Sequence, residues 1–310
     1  MKKKLTFFTF GEDMFLRDII AELRKDYNIK FFQRGSETEF FQMYHDCDIA
    51  WFEWCDDLIV QATQSPKMPS KIVCRLHSYE LFTDVPAKVD WNKIDKLMFV
   101  SETVKNLFFS KFHVRPDIMS VIPNGVNMDS FKTPLDKKYN KKVVFVGYIN
   151  YKKGPELLLQ TFLALHEMDP EFTFHIAGDH QDERIALYFS YMQQFLPFQI
   201  NFDGWVKDMP EYLKDKDYVL STSLFESFQY ALAEGMAQGV YPLIHNWPGA
   251  LDLYPQEHIF VSVPECIDIV KKYNALKDKT AKQMEMRKYI EEHFSLEKQI
   301  TSIKDLLTKL

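Results

Sequence analysis

The chain has few cysteines, no long apolar run and no excess of positive charge. Its four cysteines include no CxxC pair, so we interpret them as reduced, buried thiols, not as a disulfide framework or a zinc site. No stretch reaches the ~18 uninterrupted apolar residues of a membrane span. The formal net charge of −6 argues against a nucleic-acid partner.

The motifs of several enzyme classes are also missing. The sequence contains neither the GxxxxGKS/T loop of P-loop proteins nor the GxGxxG dinucleotide fingerprint. It has no GxSxG elbow and no HExxH zinc motif. Hydrolysis by a nucleophilic triad therefore has no support in the sequence.

The first residues are typical of a buried strand. Met1-Lys-Lys-Lys is followed by only the short run LTFFTF before the acidic Gly11-Glu-Asp. This run is too short for the apolar region of a signal peptide, and acidic residues follow it too closely. We therefore expect a cytoplasmic protein.

Short apolar runs alternate with helical patterns along the chain. This alternation predicts parallel βαβ units and the α/β class. At ~150 residues per domain, a chain of 310 residues predicts two domains. The polar stretch 133–142 is the candidate linker, which gives domains at 1–135 and 136–294. Residues 295–310 form an amphipathic C-terminal helix.

Two carboxylates follow an apolar run in the second half of the chain. Tyr218–Leu220 predicts a strand, and LFESFQYALAEGMAQG predicts a loop and a helix after it. This order places Glu226 at the carboxyl end of the strand, where ligands bind in open α/β sheets. Glu234 lies about two turns into the helix. Two such acids can hold two parts of one elongated ligand, although a solvated amphipathic helix has the same spacing.

A basic loop precedes another predicted helix. The segment GYINYKKG, from Gly147 to Gly154, separates a strand from a helix that starts at Pro155. Backbone N–H groups and a helix N-terminus favour an anion, and Lys152 and Lys153 suit a phosphate or diphosphate. A solvated turn is the alternative interpretation.

In the first half, several polar residues follow predicted strands. Gly11 follows the first strand and His77 follows KIVCRL, so both lie where ligands bind; a plain turn and a structural histidine are the alternatives. The cluster WFEWCDD could stack a sugar face and accept from its hydroxyls, through Glu53, Trp54 and Asp56. A core strand followed by an acidic helix cap is equally consistent.

Two further patterns admit competing interpretations. Asp46-Cys-Asp48 and Asp215-Lys-Asp217 match the DxD pattern with which some sugar-nucleotide enzymes hold a metal, but each comes just before a predicted strand. We therefore predict no metal site. Residues 106–115 mix aromatic and basic side chains, which is typical of an interfacial membrane contact or of a core-facing helix.

Residues 121–260 resemble the carboxyl-terminal half of the retaining GT-B glycosyltransferases of family 4. VIPNGVNMDSF is similar to the family's interdomain segment, and VVFVGYINYKKGPELLLQTF to its strand, basic glycine loop and helix. FTFHIAGD is similar to its next strand, and the region ending in ESFQYALAEG resembles its Glu-x7-Glu signature. The resemblance implies two Rossmann-like domains facing across a cleft, with the last helix crossing back onto the first domain.

The resemblance also implies a role for each candidate residue. Glu226 matches the glutamate that contacts the transferred sugar, Lys153 the lysine on the donor diphosphate, and His77 the amino-domain histidine that faces the donor sugar. These three are the predicted catalytic residues. The donor-binding candidates are Glu234 on the ribose, Lys152, Gly11, Gly147, Ser227, Phe228 and, beside the base, Trp205 and Val206. The acceptor-binding candidates are Glu53, Trp54 and Asp56.

The implied activity is retaining transfer of a hexosyl group from a nucleotide-sugar donor to a hydroxyl of a glycan or lipid-linked acceptor. It needs no metal or other cofactor, and it is expected in the cytoplasm or at the inner face of the membrane. Two departures from the family are Tyr148, where many members have an arginine, and a short amino-terminal domain. A catalytically inactive nucleotide-sugar-binding or scaffold protein is therefore the alternative, and a GT-A enzyme with a DxD-bound metal is a third.

Overall fold

The computed structural model describes residues 2–9, 14–66, 71–134 and 137–310. The chain forms two units, Met1–Asn124 with Leu296–Leu310, and Gly125–Ser295. The predicted linker lies further along the chain, at residues 133–142. The second unit starts earlier because Val126 bridges to Ser295 and Phe131 packs in the second core.

The first unit is a parallel sheet in the order β2-β1-β3-β4-β5-β6 with helices around it. Its strands are near-continuous apolar runs because helices cover both faces of such a sheet. The strands are β1 Lys4–Phe8, β2 Asn28–Phe32, β3 Ile49–Glu53, β4 Lys71–Leu76, β5 Lys96–Phe99 and β6 Met119–Val121. The helices are α1 Arg17–Leu23, α2 Glu37–His45, α3 Asp57–Gln64, α4 Glu102–Lys111 and, at the end of the chain, α12 Leu296–Thr308.

The second unit repeats this plan, with the strand order β12-β11-β10-β7-β8-β9. All of its paired strands are parallel. Its strands are β7 Lys142–Val146, β8 Thr173–Ala177, β9 Ile200–Phe202, β10 Tyr218–Ser221, β11 Tyr241–His245 and β12 Ile259–Phe260. Its helices are α5 Pro155–Met168, α6 Glu183–Met192, α7 Met209–Leu213, α8 Tyr230–Ala237, α9 Ala250–Leu253, α10 Val263–Asn274 and α11 Lys279–Phe294.

The helix that carries Glu234 is shorter than its sequence pattern predicts. The pattern places Glu234 about two turns into the helix, which implies a start near residue 227, whereas α8 starts at Tyr230. Gln229 stops the helix from extending further back, because its φ of 65° is left-handed. Glu226 therefore lies in the loop after β10, and Glu234 is the fifth residue of α8.

Both Asp-x-Asp pairs hold the starts of strands. Asp46 forms an ion pair with Lys4 (2.7 Å), and Asp48 accepts from the Lys4 backbone N–H (2.7 Å). Asp217 accepts from the Lys142 N–H (3.1 Å) in the same way. Among the residues that the structure describes, no three His, Cys, Asp or Glu side chains gather into a group that could hold a metal ion.

Helix α4 forms the first part of the segment 106–115 and packs mainly on the core. Phe108 is fully buried, Leu107 and Phe112 pack against the same cluster, and Phe109 is exposed. This geometry favours the core-facing interpretation of the segment. None of the described helices is both long and apolar enough to cross a membrane.

The last helix belongs to the core of the first unit. Ile303, Leu306 and Leu307 are buried in one cluster with Ile19 and Leu23 of α1. Spacings of three and four residues place these side chains on one face of α12. The helix therefore completes an apolar layer over the first sheet.

We predict that Ile303→Ala lowers the free energy of unfolding of the first unit by about 2–5 kcal/mol, because it leaves a cavity where the side chain was fully buried. Thr301→Ala, at an exposed position of the same helix, is the matched control and should change little. Urea titration followed by circular dichroism measures both. Equal losses in the two variants would show that this face of α12 is not packed.

Candidate active site

Two loops meet at the carboxyl ends of neighbouring strands in the second unit. Strands β7 and β10 pair in parallel, and the loops after them are joined by hydrogen bonds. The Leu224 N–H donates to the Lys152 carbonyl (2.8 Å), and Thr222 Oγ1 donates to the Lys153 carbonyl (2.7 Å). The strand ends therefore fix the positions of both lysines.

Gly154 lets these loops approach closely. Its φ is 61°, and a Cβ atom added to it would lie 2.2 Å from the Thr222 carbonyl oxygen. Only glycine fits this backbone conformation and this gap. Pro155 then starts α5 at the first helical position, which aims the N-terminus of α5 at the same edge of the sheet.

Glu226 lies in the loop after β10 and is 7% exposed. Lys153 Nζ lies 2.5 Å from its Oε1, and Lys152 Nζ lies 3.3 Å from its Oε2. Ser223 Oγ donates to Oε1 at 2.9 Å. Burial by itself would raise the pKa of Glu226, but the two lysines outweigh it and hold the pKa below its usual range. The carboxylate is therefore ionised at neutral pH.

Glu234 has the opposite environment. It is partly buried in the second turn of α8, and no described side chain lies within hydrogen-bonding or ion-pair distance of its carboxyl group. Burial without a counter-charge raises its pKa to about 7. A carboxyl group in this state is open to hydrogen-bonding partners from a ligand.

The loop before α8 contains backbone amides without a partner among the described residues. The N–H groups of Ser227, Phe228 and Gln229 donate to no other described residue, which suits an anion. The Phe228 ring is buried, and its carbonyl accepts from Tyr254 Oη (2.7 Å), so only its backbone can meet a ligand. Ser221 Oγ donates to Gln229 Oε1 (2.6 Å) and holds Gln229 in its left-handed conformation.

Two exposed aromatic rings lie near the basic loop. Tyr148 is 43% exposed and Trp205 is 63% exposed, and their ring centroids are 5.5 Å apart. Val206 is partly buried beside them. Gly147, at the end of β7, has a φ of 129°, and a Cβ atom added to it would lie 4.0 Å from Lys153 Cε. The main chain at Gly147 is therefore open toward Lys153.

The first unit holds a buried ion cluster at the ends of β3 and β4. Glu53 is fully buried and lies in register with Arg75 on the neighbouring strand. It accepts from Trp51 Nε1 (2.9 Å), Arg75 Nη1 (3.3 Å) and His77 Nε2 (2.8 Å). Burial would raise the pKa of Glu53, but Arg75 and His77 hold it below its usual range.

This cluster fixes the tautomer of His77. An ionised carboxylate only accepts, so the proton must be on Nε2. The Trp54 ring covers the imidazole at a centroid distance of 4.1 Å, and Trp54 takes a left-handed φ of 80°. The backbone N–H of His77 donates to Glu80 Oε1 (3.1 Å). His77 is thus held from three sides.

The structure corrects the prediction that Glu53 and Asp56 bind the acceptor, because Glu53 is buried and Asp56 caps a helix. Glu53 is not accessible to an acceptor, because its oxygens face Trp51, Arg75 and His77 inside the core. Asp56 caps α3 by accepting from the Leu58 N–H (2.8 Å), and burial raises its pKa to about 7. The alternative interpretation, a core strand followed by an acidic helix cap, describes both residues.

Some functional residues were not visible in the sequence. Ser223, which donates to Glu226, and Arg75, which neutralises Glu53, carry no motif of their own. The sequence signal that could have identified Arg75 is a charged residue inside an apolar strand. A second charged residue, Glu53, ends another such strand. Gly11 lies outside the described residues.

The comparisons with known proteins identify the family. Residues 127–293, more than half of the chain, match the family described as Glycosyl transferases group 1. The chain therefore belongs to the group 1 glycosyltransferases.

Two curated relatives cover part of the chain. It is 26% identical over 230 residues to the UDP-Gal:alpha-D-GlcNAc-diphosphoundecaprenol alpha-1,3-galactosyltransferase of Escherichia coli, which covers 68% of this chain and 59% of the relative. It is 28% identical over 199 residues to one subunit of the human phosphatidylinositol N-acetylglucosaminyltransferase, covering 61% and 41%. The chain thus spans about half the length of these relatives.

Solved structures confirm the fold. Anabaena HepE, determined in complex with UDP and glucose, is similar with a TM-score of 0.82 at 17% identity, covering 99% of this chain and 100% of that chain. Sucrose-phosphate synthase from Thermosynechococcus elongatus has a TM-score of 0.74 at 13% identity, covering 99% of each chain. The prediction of an α/β protein with the GT-B fold is therefore confirmed.

We predict that Gly154→Ala destabilises the second unit more than Gly204→Ala does. Both glycines have a left-handed φ, at 61° and 67°, so alanine adds about 1–2 kcal/mol of strain at either one. Only Gly154 also meets a backbone carbonyl, whereas nothing lies within 4 Å of a Cβ on Gly204. Overpacking adds about 1–3 kcal/mol. Denaturant titration gives both values, and equal losses would contradict the close approach to Thr222.

We also predict that Glu234→Gln changes how stability depends on pH. Below about pH 4.3 the carboxyl group is protonated in both states; between there and about pH 7 only the unfolded chain loses the proton. The stability that this group contributes is therefore full below pH 4.3 and is lost as pH rises to 7, by about 4 kcal/mol.

The difference in unfolding free energy between wild type and Glu234→Gln, measured at several pH values, isolates this effect from other titrating groups. Glu183→Gln, on the exposed face of α6, is the control. A difference that stays flat from pH 4 to 8 would contradict the partly buried, unpaired environment of Glu234 within the described part of the chain.

Proposed function

We propose that this chain is a retaining, metal-independent glycosyltransferase that moves a hexosyl group from a UDP-sugar to a hydroxyl of a glycan or lipid-linked acceptor. The observation that carries the proposal is the cluster of Lys152, Lys153 and Glu226 at the carboxyl ends of β7 and β10. Two cations and one ionised carboxylate converge there. Three amides without a partner among the described residues follow Glu226 in the same loop. This is what a diphosphate attached to a sugar requires.

The lysines would receive the diphosphate. As the bond between the anomeric carbon and the phosphate oxygen breaks, both electrons leave with the oxygen, and negative charge grows on the diphosphate. Lys152, Lys153 and the amides of Ser227 and Phe228 stabilise that charge, as preorganised donors do in other enzymes. With two ammonium groups in place, the reaction does not require a metal to neutralise it.

Glu226 would then change partners. In the structure its oxygens accept from both lysines. When the lysines turn to the diphosphate, the carboxylate can accept from hydroxyls of the transferred sugar. Such contacts tighten in an oxocarbenium-like transition state and contribute several kcal/mol in glycosidases. The acceptor oxygen bonds to the anomeric carbon on the face the phosphate leaves, and its proton goes to the departing phosphate, so the configuration is retained.

The remaining assignments follow from the environments of the residues. Glu234, with no partner of its own among the described residues, would accept from the ribose hydroxyls. The exposed ring of Trp205, with Val206, would lie beside the base. His77, which Glu53 fixes through Nε2, stays a candidate catalytic residue. Lys152 supplies the cation that Tyr148 does not.

The names of the relatives support the choice of substrates. The Escherichia coli relative is named for UDP-Gal and a diphosphoundecaprenol-linked sugar, and the human one for phosphatidylinositol. Both names include a lipid or a lipid-linked sugar. The alternative, a nucleotide-sugar-binding protein without turnover, is favoured by one observation, the absence of a cation at Tyr148.

We predict that Lys153→Ala lowers kcat about 10²–10³-fold, because it removes a group that stabilises the leaving diphosphate. Lys272→Ala, an exposed lysine of α10 without an ion pair among the described residues, is the matched control. The measurement is UDP release from UDP-glucose, UDP-galactose and UDP-N-acetylglucosamine, first with wild type. Equal rates in the two variants would contradict the catalytic assignment.

The same assay separates the competing mechanisms. UDP binding without turnover of any donor would favour the binding protein. Turnover that stops with EDTA and returns with Mg²⁺ or Mn²⁺ would overturn the metal-free mechanism. The anomeric configuration of the product, read by NMR, tests retention.

A further inference from the structure

A cavity of about 530 Å³ opens in the first unit, away from the ion cluster around Glu53. It lies where β2 ends and where α2 and α3 begin, which is the carboxyl edge of the sheet. Ligands bind at this edge in open α/β sheets. Its volume falls within the roughly 300–1,000 Å³ of small-molecule sites.

The base of the cavity is apolar and firmly packed. Phe32, Phe40 and Leu58 line it, at 6%, 1% and 7% exposure. The backbone at Gly35 lies directly against the Phe32 ring, since a Cβ atom added to Gly35 would lie 2.9 Å from that ring. The Ser36 N–H donates to Glu39 Oε2 (2.7 Å) in a capping box that fixes the start of α2. The wall is therefore preorganised.

The rim of the cavity is polar, and four of its charged and amide side chains have no bonding partner among the described residues. Arg34, Glu37, Asp57 and Gln61 line it, and all four are exposed. Within the described part of the chain, none of these side chains has a hydrogen bond or an ion pair. Together they offer a guanidinium donor, two carboxylate acceptors and an amide that does both.

This mixture of groups selects the chemistry of the ligand. A phosphate or carboxylate would meet one cation but two carboxylates, so an anion is disfavoured. A hydroxyl both donates and accepts, and it can bond to every group on the rim. A sugar ring also has an apolar face of C–H groups for the base of the cavity.

We propose that this cavity is a subsite for a sugar residue of the acceptor. The proposal rests on the proposed glycosyltransferase function and gives it an acceptor contact that Glu53, which is buried, does not provide. Arg34, Glu37, Asp57 and Gln61 bind the hydroxyls, and Phe32 and Leu58 support the ring.

The test uses a cysteine placed at the rim. The four native cysteines are buried, so Gln61→Cys provides a selectively reactive thiol. The probes are the methyl α- and β-glycosides of glucose, galactose, mannose and N-acetylglucosamine. We expect at least one of them to slow the reaction of Gln61→Cys with a thiol reagent, and not that of Gln42→Cys, on an exposed part of α2 outside the cavity.

Adding Arg34→Ala to Gln61→Cys should raise the half-protecting glycoside concentration about ten-fold, the size expected for one charge-assisted hydrogen bond. Adding Arg24→Ala, which is exposed elsewhere in the first unit, should not. Circular dichroism spectra check that each variant is folded. Protection by none of the glycosides, equal protection of Gln42→Cys, or protection that Arg34→Ala leaves unchanged would each overturn the subsite.

The outcome is separable from that of the proposed function. Turnover of a UDP-sugar by a protein whose Gln61→Cys is never protected would reject the subsite alone. Protection without UDP binding or turnover would support a sugar site and reject the proposed transfer reaction.

Discussion

Glu226 is a carboxylate buried at the end of a parallel sheet, and a buried charge must find a partner or lose its ionisation. Two lysines from the loop after the neighbouring strand β7 form ion pairs with this carboxylate. The loops can meet only because Gly154 has no side chain against the Thr222 carbonyl. The backbone geometry therefore comes first, the ion pairs follow, and the charge on Glu226 depends on both. Any ligand that takes the lysines must also satisfy this carboxylate.

The first unit meets the same constraint in another way. Glu53 is fully buried, and its partner Arg75 lies opposite on the next strand and is itself buried. Arg75 also donates to Asn124 Oδ1, so the guanidinium is held at both ends. Removing one partner of a buried pair is far more costly than the pair's net contribution. The cluster is thus better explained by the orientation it imposes on His77 than by stability.

The sequence predicts much of the fold because strands of parallel sheets are covered on both faces. Their continuous apolar runs identify β1, β3 and β4, and the positions of His77 and Glu226 just after such runs place both at carboxyl ends. The start of α8 could not be predicted, since Gln229 takes a left-handed conformation that its residue type rarely adopts. The accessibility of Glu53 depends on its register with Arg75, which is a contact between strands and leaves no local pattern. The boundary near Asn124 likewise depends on the bridge between Val126 and Ser295, far apart in the chain.

The two glutamates of the Glu-x7-Glu pattern have opposite environments. Lys152 and Lys153 lower the pKa of Glu226, whereas burial without a counter-charge raises that of Glu234 to about 7. Titratable groups whose environments separate their pKa values take separate roles in enzyme sites. Glu226 is preset as an anion next to the cations that a diphosphate needs. Glu234 is near its midpoint at neutral pH and has no partner among the described residues, so hydroxyl donors from a ligand would favour its ionised form. Under the proposed function, Glu234 would act in recognising the nucleotide and Glu226 in breaking the bond between the nucleotide and the sugar.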